Sequence, residues 1–246
     1  MTALAEAIDV RKSFESLDVL KGVSFRLEKG ETLVVMGGSG SGKTVLLRII
    51  DGLIRPDAGS VRLFEQPIEQ LPEDALLPIR RRLGYVFQNA ALFDSLTVEE
   101  NVTFPLREHG DFGDAEMRER AVHYLSLVGL DAKVLPQLPA ELSGGMRKRV
   151  GIARALIGQP DALLFDEPTA GLDPTNSKMV GELISELGSE VCDTAIVVTH
   201  DLELTKAVAD RVAVLIRGRF AALGRLDDVL GSRDPEVQAF LSGEAR

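Results

Sequence analysis

Short apolar runs separated by polar turns dominate the first part of the chain. Between residues 7 and 36 these runs are IDV, GVSFRL and TLVVM, and SVRLF follows at residues 60–64. Runs of this length and composition are typical of β-strands. The run TLVVM leads through GGSGSGKT into TVLLRIIDGL, whose apolar residues recur at helical spacing. The pattern therefore predicts a strand, a glycine-rich loop and a helix in succession.

The pattern changes after a further predicted strand, LGYVF, which ends at Gln88. Residues 89–157 alternate helical patterns with glycine and proline breaks, and this alternation predicts a helical insertion. From Asp161 onward, ALLF, AIVV and RVAVLI again indicate buried strands, with a predicted helix, KMVGELISELG, between the first two. Strands that alternate with helices are typical of a parallel sheet, so the predicted fold class is α/β.

We interpret the whole chain, residues 1–246, as one domain with internal subdivisions. The tail contains Asp234 and Pro235, a good helix start, and Gly243, a plausible stop, so a short terminal helix is expected. The predicted parts are a core with a β subdomain at about residues 1–88 and 158–220, a helical subdomain at about residues 89–157, and the tail at residues 221–246.

Composition and charge limit the kinds of partner. The chain has 246 residues, 45% of them hydrophobic, which is enough for a sizeable core. No apolar run approaches the roughly 20 residues that cross a bilayer, and the start lacks the pattern of a secretory signal. The net charge of -10 disfavours nucleic acid as a partner. Cys192, the single cysteine, cannot form an internal disulfide, which fits a reducing compartment.

Residues 37–44, GGSGSGKT, fit the phosphate-binding pattern G-x-x-x-x-G-K-[ST]. In this pattern backbone N–H groups surround the phosphates, Lys43 neutralises charge and the Thr44 hydroxyl reaches a magnesium ion. A flexible glycine loop is the alternative. The predicted strand before the loop and helix after it favour phosphate binding.

Two further predicted strands end in polar residues. One delivers Asp166 and Glu167 to the edge of the sheet where nucleotides bind in open α/β folds. Asp166 suits the magnesium shell, and Glu167 is placed to polarise the attacking water; a solvated acidic turn explains the pair equally well. The other strand ends at His200, which could hydrogen-bond a terminal phosphate, although a lone histidine is more often structural.

The segment LSGGM precedes a helical run, RKRVGIARALIG. Ser143 is a natural N-cap, and Gly144 and Gly145 expose backbone N–H groups that attract phosphate. Taken alone, this segment indicates a good helix cap and no more. The basic clusters at residues 80–82 and 147–149 are interpreted as solvated helix faces.

Taken together, GGSGSGKT, Gln88, LSGGM, LLFDE, AGLD and His200, in this order and spacing, resemble the motif set of the ABC (ATP-binding cassette) ATPases. The resemblance spans almost the whole chain. It implies a P-loop NTPase core of the RecA-like type with a small antiparallel β subdomain and an inserted α-helical subdomain. It also implies ATP hydrolysis coupled to transport, with ATP and Mg²⁺ as cofactors.

The resemblance assigns roles to individual residues. Phe14 would stack on adenine, and Gln88 would link magnesium to the membrane partner. Lys43, Glu167 and His200 form the implied catalytic set, and Thr44, Gln88 and Asp166 the implied metal set. The implied nucleotide-binding residues are Phe14, Gly37, Gly38, Ser39, Gly40, Ser41, Gly42, Lys43, Thr44, Val45, Gln88, Ser143, Gly144, Gly145 and Asp173.

The family resemblance further implies a head-to-tail homodimer that encloses two ATP molecules. Ser143, Gly144 and Gly145 would act on the nucleotide of the other monomer, and Asp173 would communicate between the two sites. Two positions depart from the usual family pattern. Phe14 replaces tyrosine but keeps the stacking face. Met146 replaces glutamine but leaves the backbone N–H groups intact.

LSGGM together with NAALF, ENVTFPLREH and DPEVQAFLSG resembles the ATPases of Mla-type, MCE-associated phospholipid transport systems. This branch implies integral-membrane permease subunits, an MCE-type substrate-binding protein, a small STAS-type accessory protein, and a peripheral place on the cytoplasmic face of the inner membrane. A transporter ATPase for amino acids or another small solute is the main alternative. A soluble ABC ATPase that works on DNA or ribosomes, and a P-loop kinase or GTPase, fit less well.

Overall fold

The computed structural model describes residues 3–110 and 112–243. The last three residues of the predicted tail, 244–246, lie outside this description. The described residues form the strands β1 (Ala3–Phe14), β2 (Leu17–Glu28), β3 (Thr32–Met36), β4 (Ala58–Leu63), β5 (Gln66–Pro67), β6 (Leu83–Val86), β7 (Ala162–Asp166), β8 (Ala195–Thr199), β9 (Arg211–Ile216) and β10 (Arg219–Arg225).

The same residues form the α-helices α1 (Lys43–Ile50), α2 (Glu73–Arg80), α3 (Val98–His109), α4 (Asp114–Leu127), α5 (Gly144–Leu156), α6 (Pro174–Glu190), α7 (Leu202–Val208), α8 (Leu226–Leu230) and α9 (Pro235–Leu241). Single 3-10 turns occur at Ile68–Gln70, Ala132–Val134 and Pro139–Glu141. In the part of the chain that the structure describes, no helix is both long and apolar enough to cross a membrane.

The chain folds into two compact units. The described residues within 1–80 and 193–246 form the first unit, and those within 81–192 form the second. These boundaries differ from the predicted subdomain limits near residues 88, 158 and 220. The predicted division into core, helical subdomain and tail stays a prediction.

The first unit contains an antiparallel sheet with the strand order β2-β1-β4-β5. Val10 of β1 pairs with Val23 of β2, and both side chains are fully buried. Exposed Ile8, Asp9 and Ser24 lie nearby on the same strands. Such alternation of buried and exposed positions explains the polar breaks within these strands, because an antiparallel sheet can leave one face in water.

The first unit also contains parallel strands, with β3 between β8 and β9 and with β10 antiparallel to β9. Leu33, Val34 and Val35 are all fully buried, although consecutive side chains point to opposite faces of a strand. Both faces of β3 are therefore covered, which explains its unbroken apolar sequence. The predicted parallel arrangement of these strands is confirmed.

The second unit pairs β6 and β7 in parallel, with Leu83 opposite Ala162 and Val86 opposite Phe165. Helices α3, α4 and α5 pack against one another in this unit. Helix α3 begins with a capping box in which Thr97 accepts from the backbone N–H of Glu100 while the Glu100 carboxylate accepts from that of Thr97. This box fixes the start of α3 by satisfying two N–H groups at once.

Asp51 is a buried carboxyl group at the C-terminal end of α1. Burial raises its pKa to about 7, and the charge of Arg80 opposes that shift. The Arg80 guanidinium donates to the backbone oxygens of Asp51 and Gly52. A carboxylate here is costly because it is desolvated and because the helix end already carries partial negative charge.

Asp51→Asn is expected to change how stability depends on pH. The folded chain keeps a proton on Asp51 at pH values where the unfolded chain has lost it, so stability falls as pH rises from about 4 to about 7. Urea midpoints of both chains at pH 5 and pH 8 should show that the stability of the variant relative to the wild type improves by about 2 kcal/mol at the higher pH. A difference that stays constant between these pH values would contradict the assignment.

Candidate functional site

The glycine-rich loop lies between β3 and α1 in the first unit. Gly40 and Gly42 adopt φ angles of 75° and 106°, and Gly42 is the N-cap of α1 without any side-chain cap hydrogen bond. A Cβ on Gly37 would lie 2.5 Å from the Ser41 Oγ and 2.7 Å from the Leu215 carbonyl oxygen. Glycine is therefore required for the shape of this loop, and the start of α1, with the partial positive charge of a helix N-terminus, suits an anion.

The polar side chains of this loop suit phosphate oxygens. Lys43 is buried, and its ammonium donates to the carbonyl oxygens of Gly37 at 2.6 Å and Gly38 at 3.0 Å, which keeps the charge at the loop. The Ser41 Oγ is buried and has no hydrogen-bond partner among the described residues. Gly38 and Gly40 have open space on the side where a Cβ would project. A phosphate group fits this arrangement because it offers acceptors to Lys43, to Ser41 and to the backbone.

The register of the parallel strands places His200 beside this loop. Met36 of β3 pairs with Thr199 of β8, and the Gly37 N–H donates to the Thr199 carbonyl oxygen at 3.3 Å. His200 follows Thr199 directly and is exposed. Asp201 then caps α7 by accepting from two backbone N–H groups of its first turn. His200 is thus held between a strand end and a helix cap, next to the predicted phosphate site.

Phe14 lies at the end of β1, and 44% of its surface is exposed. The Lys12 ammonium lies 5.3 Å from the centre of its ring. An exposed aromatic ring costs free energy in water, so stacking of the exposed part of this ring on a planar ligand would be favourable. Phe14 belongs to the same unit as the phosphate loop.

A cavity of about 450 Å³ opens beside the phosphate loop in the first unit. Its other walls come from the end of β9 and from α9 of the tail, where Arg217 and Glu236 form an ion pair at 3.0 Å. Helix α9 starts at Pro235 with Asp234 as its N-cap, at the position where the sequence predicts a terminal helix. The residues that line this cavity are Gly38, Ser39, Gly40, Ser41, Leu215, Ile216, Arg217, Pro235, Glu236, Ala239 and Phe240.

In the second unit, Asp166 and Glu167 lie at the end of β7, and both are buried. The Tyr85 hydroxyl of β6 donates to Asp166 at 3.4 Å. Glu167 adopts a φ of 47°, in the left-handed region that is strained for a residue with a side chain. Burial argues against the alternative of a solvated acidic turn, and the strained backbone is typical of functional sites.

The LSGGM segment also belongs to the second unit, where it begins α5. Ser143 is exposed and caps this helix by accepting from the Met146 N–H at 3.3 Å. A Cβ on Gly145 would lie 2.6 Å from the Asn176 Oδ1, and the Asn176 amide donates to Asp173. The structure thus brings the LSGGM segment and the AGLD segment into contact. Asp173 caps α6, and its hydrogen bond from Asn176 holds the pKa of the Asp173 carboxyl below its usual range.

Within the basic cluster at residues 147–149, Arg147 is exposed, whereas the prediction of a solvated face is wrong for Lys148, which is buried. Its ammonium donates to the carbonyl oxygen of Gln88, which is two residues beyond β6, and to that of Glu167 at 3.3 Å. Helical spacing could have revealed this, because residues 145, 148, 152 and 156 lie on the buried face of α5. Desolvation lowers the pKa of Lys148, and the carboxylates of Glu167 and Asp166 oppose that shift.

The defining sequence pattern of one known family, described as ABC transporter, matches residues 20–170. This match covers more than half of the chain. The chain belongs to the ABC transporter family.

Relatives within this family support the assignment. A methionine import ATP-binding protein, MetN, from Mesorhizobium japonicum is 39% identical over 97% of this chain, which spans 65% of that protein's length. A probable ribonucleotide transport ATP-binding protein from Mycobacterium bovis is 38% identical over 97% of this chain, which spans 66% of that protein. A dimeric ATP-binding cassette in a post-hydrolysis state, bound to ADP and Pi, is 34% identical with a TM-score of 0.84 and covers 90% of this chain and 98% of its own.

These comparisons confirm the predicted α/β cassette fold. They do not support the predicted Mla-type branch, because the relatives named here carry the names of methionine import and ribonucleotide transport proteins. The MCE-type and STAS-type partners have no support from them either. The branch prediction depends on Met146 and on segments outside the catalytic motifs, which bear on cargo only indirectly.

The predicted site residues divide between the two units. Phe14, the phosphate loop and His200 lie in the first, whereas Gln88, the LSGGM residues, Asp166, Glu167 and Asp173 lie in the second. For the implied metal, Thr44 is in the first unit, and Gln88 and Asp166 are in the second. All three carry oxygen donors, which is the ligand type that Mg²⁺ prefers.

Proposed function

We propose that this chain is the ATP-hydrolysing subunit of an ABC transporter. The observation that carries the proposal is the phosphate loop, where a helix start without a side-chain cap, the buried Lys43 and the buried Ser41 Oγ lie together. Bound ATP would supply a phosphoanhydride whose hydrolysis releases free energy, and Mg²⁺ would neutralise its phosphate charge.

The first unit would bind the nucleotide. Phe14 would stack on the adenine through its exposed face. Residues 37–45 would surround the phosphates, with Lys43 neutralising charge and the Thr44 hydroxyl reaching Mg²⁺. His200 would donate a hydrogen bond to the terminal phosphate, which its place next to Thr199 supports.

The second unit carries further residues to which we assign roles in hydrolysis. Gln88 and Asp166 would add oxygen ligands for Mg²⁺, and Tyr85 would orient Asp166 through its hydroxyl. Glu167 would accept a proton from the attacking water, a role that suits a carboxylate held at a strand end by a strained backbone. Attack by this water would break the bond between the terminal phosphorus and its bridging oxygen, which releases ADP and inorganic phosphate, and Lys43 would neutralise charge on the phosphates.

Two copies of the chain would assemble head to tail. Ser143, Gly144 and Gly145 would offer the N-terminal N–H groups of α5 to the nucleotide held by the other copy. The exposure of Ser143 and the dimeric state of the solved relative support this arrangement. Asp173 would link the two sites, because it holds the Asn176 side chain against Gly145.

The cargo that the relatives favour is an amino acid or another small solute, taken up through membrane-spanning permease subunits with the help of a substrate-binding protein. The name of the MetN relative, which is that of a methionine importer, supports this choice over phospholipid. The chain would then sit at the membrane as a peripheral subunit.

The cargo can be tested with the transporter purified from native membranes and reconstituted in lipid nanodiscs. The assay measures the rate of ATP hydrolysis in the presence of single amino acids from a panel, each added together with the co-purified binding protein. The same rate is measured in the presence of phospholipid vesicles. Stimulation of several-fold by an amino acid is expected. Stimulation by phospholipid, together with lipid co-purification seen by mass spectrometry, would overturn the cargo, and a complete lack of Mg²⁺-dependent hydrolysis would overturn the ATPase assignment.

A further inference from the structure

Lys148 connects three segments that carry separate motifs. Its backbone belongs to α5, five residues after Ser143, and its ammonium reaches the carbonyl oxygens of Gln88 and Glu167. The side chain is 6% exposed. A buried ammonium needs hydrogen-bond acceptors or opposite charge, because desolvation disfavours its charged form. The carbonyl oxygens of Gln88 and Glu167 supply the acceptors. Breaking either hydrogen bond would leave part of the buried ammonium without a partner, which is costly.

The contact with Glu167 falls on a strained part of the backbone. The Glu167 carbonyl oxygen accepts from the Lys148 ammonium at 3.3 Å and from the Ala170 N–H at 3.1 Å, while the φ of Glu167 is 47°. A left-handed conformation persists in a residue with a side chain only where surrounding contacts hold it. Since the backbone conformation of Glu167 sets the direction of its Cβ, these two hydrogen bonds help to orient its side chain.

We propose that Lys148 is a positioning residue for ATP hydrolysis, which holds Glu167 in its working orientation and ties it to Gln88 and to the start of α5. This inference rests on the proposed function, in which Glu167 activates water. A displacement of α5 or of the Gln88 segment would stretch the hydrogen bonds of the ammonium. Lys148 would thereby make the orientation of Glu167 depend on the position of the LSGGM segment within the same chain.

The test compares Lys148→Met, which removes the donors but keeps a long unbranched side chain, with Lys148→Arg, which keeps charge and donors. Lys178→Met is the matched control, because Lys178 is an exposed lysine on α6 of the same unit. Full-length chains are assayed for kcat and KM of Mg²⁺-ATP hydrolysis, for the Kd of ATP by equilibrium binding, and for thermal unfolding.

Lys148→Met is expected to lower kcat by 10-fold to 100-fold, on the order of what a mispositioned catalytic group costs. The Kd of ATP should stay within about threefold, because the nucleotide contacts of the phosphate loop are unchanged. Lys148→Arg should recover part of kcat, and Lys178→Met should match the wild type. In a Glu167→Gln background, Lys148→Met should lower the residual rate much less, because the two residues act through the same carboxylate.

Several outcomes would overturn the inference. A wild-type kcat in Lys148→Met would do so, and so would a loss of rate that disappears once the folded fraction is taken into account. If Lys148→Met lowers kcat by the same factor in the wild type and in the Glu167→Gln variant, Lys148 does not act through the Glu167 carboxylate. If Lys148→Met does not fold, Lys148→Gln provides the same comparison with a neutral donor. A wild-type chain that fails to hydrolyse ATP would instead refute the proposed function.

Discussion

Replacing Glu167 by glutamine is expected to lower kcat for ATP hydrolysis by about 1,000-fold, because loss of a positioned general base typically costs 10²-fold to 10⁴-fold. Glutamine keeps the size of the side chain and can still hydrogen-bond, but it cannot take a proton from water. Glu167 is buried at the end of β7, so bulk water cannot easily replace its carboxylate.

ATP binding should survive this substitution, because the phosphate loop and Phe14 are unchanged. The variant is therefore expected to accumulate as an ATP-bound dimer, which size-exclusion chromatography with multi-angle light scattering can detect. Steady-state hydrolysis and the Kd of ATP complete the measurement. Glu186→Gln is the matched control, because Glu186 is exposed on α6. A Glu167→Gln chain that turns over ATP at the wild-type rate would refute the assignment of the general base.

Ser143→Arg is expected to lower hydrolysis by at least about 100-fold while leaving ATP binding by the monomer intact. Ser143 caps α5 and is exposed, so arginine both removes the cap and places a bulky side chain where the nucleotide of the other copy would approach. Loss of the cap alone should cost only about 1 kcal/mol of stability. Hydrolysis and ATP binding are measured on the same preparation. Intact ATP binding together with lost hydrolysis would show that the loss does not come from unfolding.

A mixture experiment distinguishes action on the partner's nucleotide from action within one chain. The Ser143→Arg chain has an intact phosphate loop, and a Lys43→Ala chain has an intact Ser143. If Ser143 acts on the other copy, a mixed dimer contains one complete site, and the mixture should exceed the activity of either variant alone. Activity that never rises on mixing would place Ser143 in the same site as its own phosphate loop. Ser189→Arg, at an exposed serine of α6, controls for the added arginine.

Much of the fold could be predicted because its causes are local in sequence. The run TLVVM predicts a strand, and β3 forms at Thr32–Met36 with Leu33, Val34 and Val35 fully buried. The glycines of the phosphate loop predict a tight anion-binding turn, because the φ angles at Gly40 and Gly42 are costly for other residues. Asp234 and Pro235 predict the start of the terminal helix for a similarly local reason.

Contacts between distant segments could not be predicted in this way. The basic run predicts a solvated face for Lys148, yet the hydrogen-bond partners of its ammonium are 60 and 19 residues away in sequence. The raised pKa of Asp51 likewise depends on what covers the end of α1. A charge pattern records which residues carry charge but not which of them are buried.

The sequence by itself determined the family and the identity of the phosphate loop, because each of these motifs works through adjacent backbone groups. Only the tertiary structure decided that Met36 pairs with Thr199, so that His200 follows a strand beside the loop. It likewise decided that Gly145 has no room for a Cβ beside Asn176, and that one buried ammonium joins Gln88 to Glu167. Strand register, close packing and the partners of a buried charge depend on residues that are far apart in the chain, and for that reason they appear only once the chain has folded.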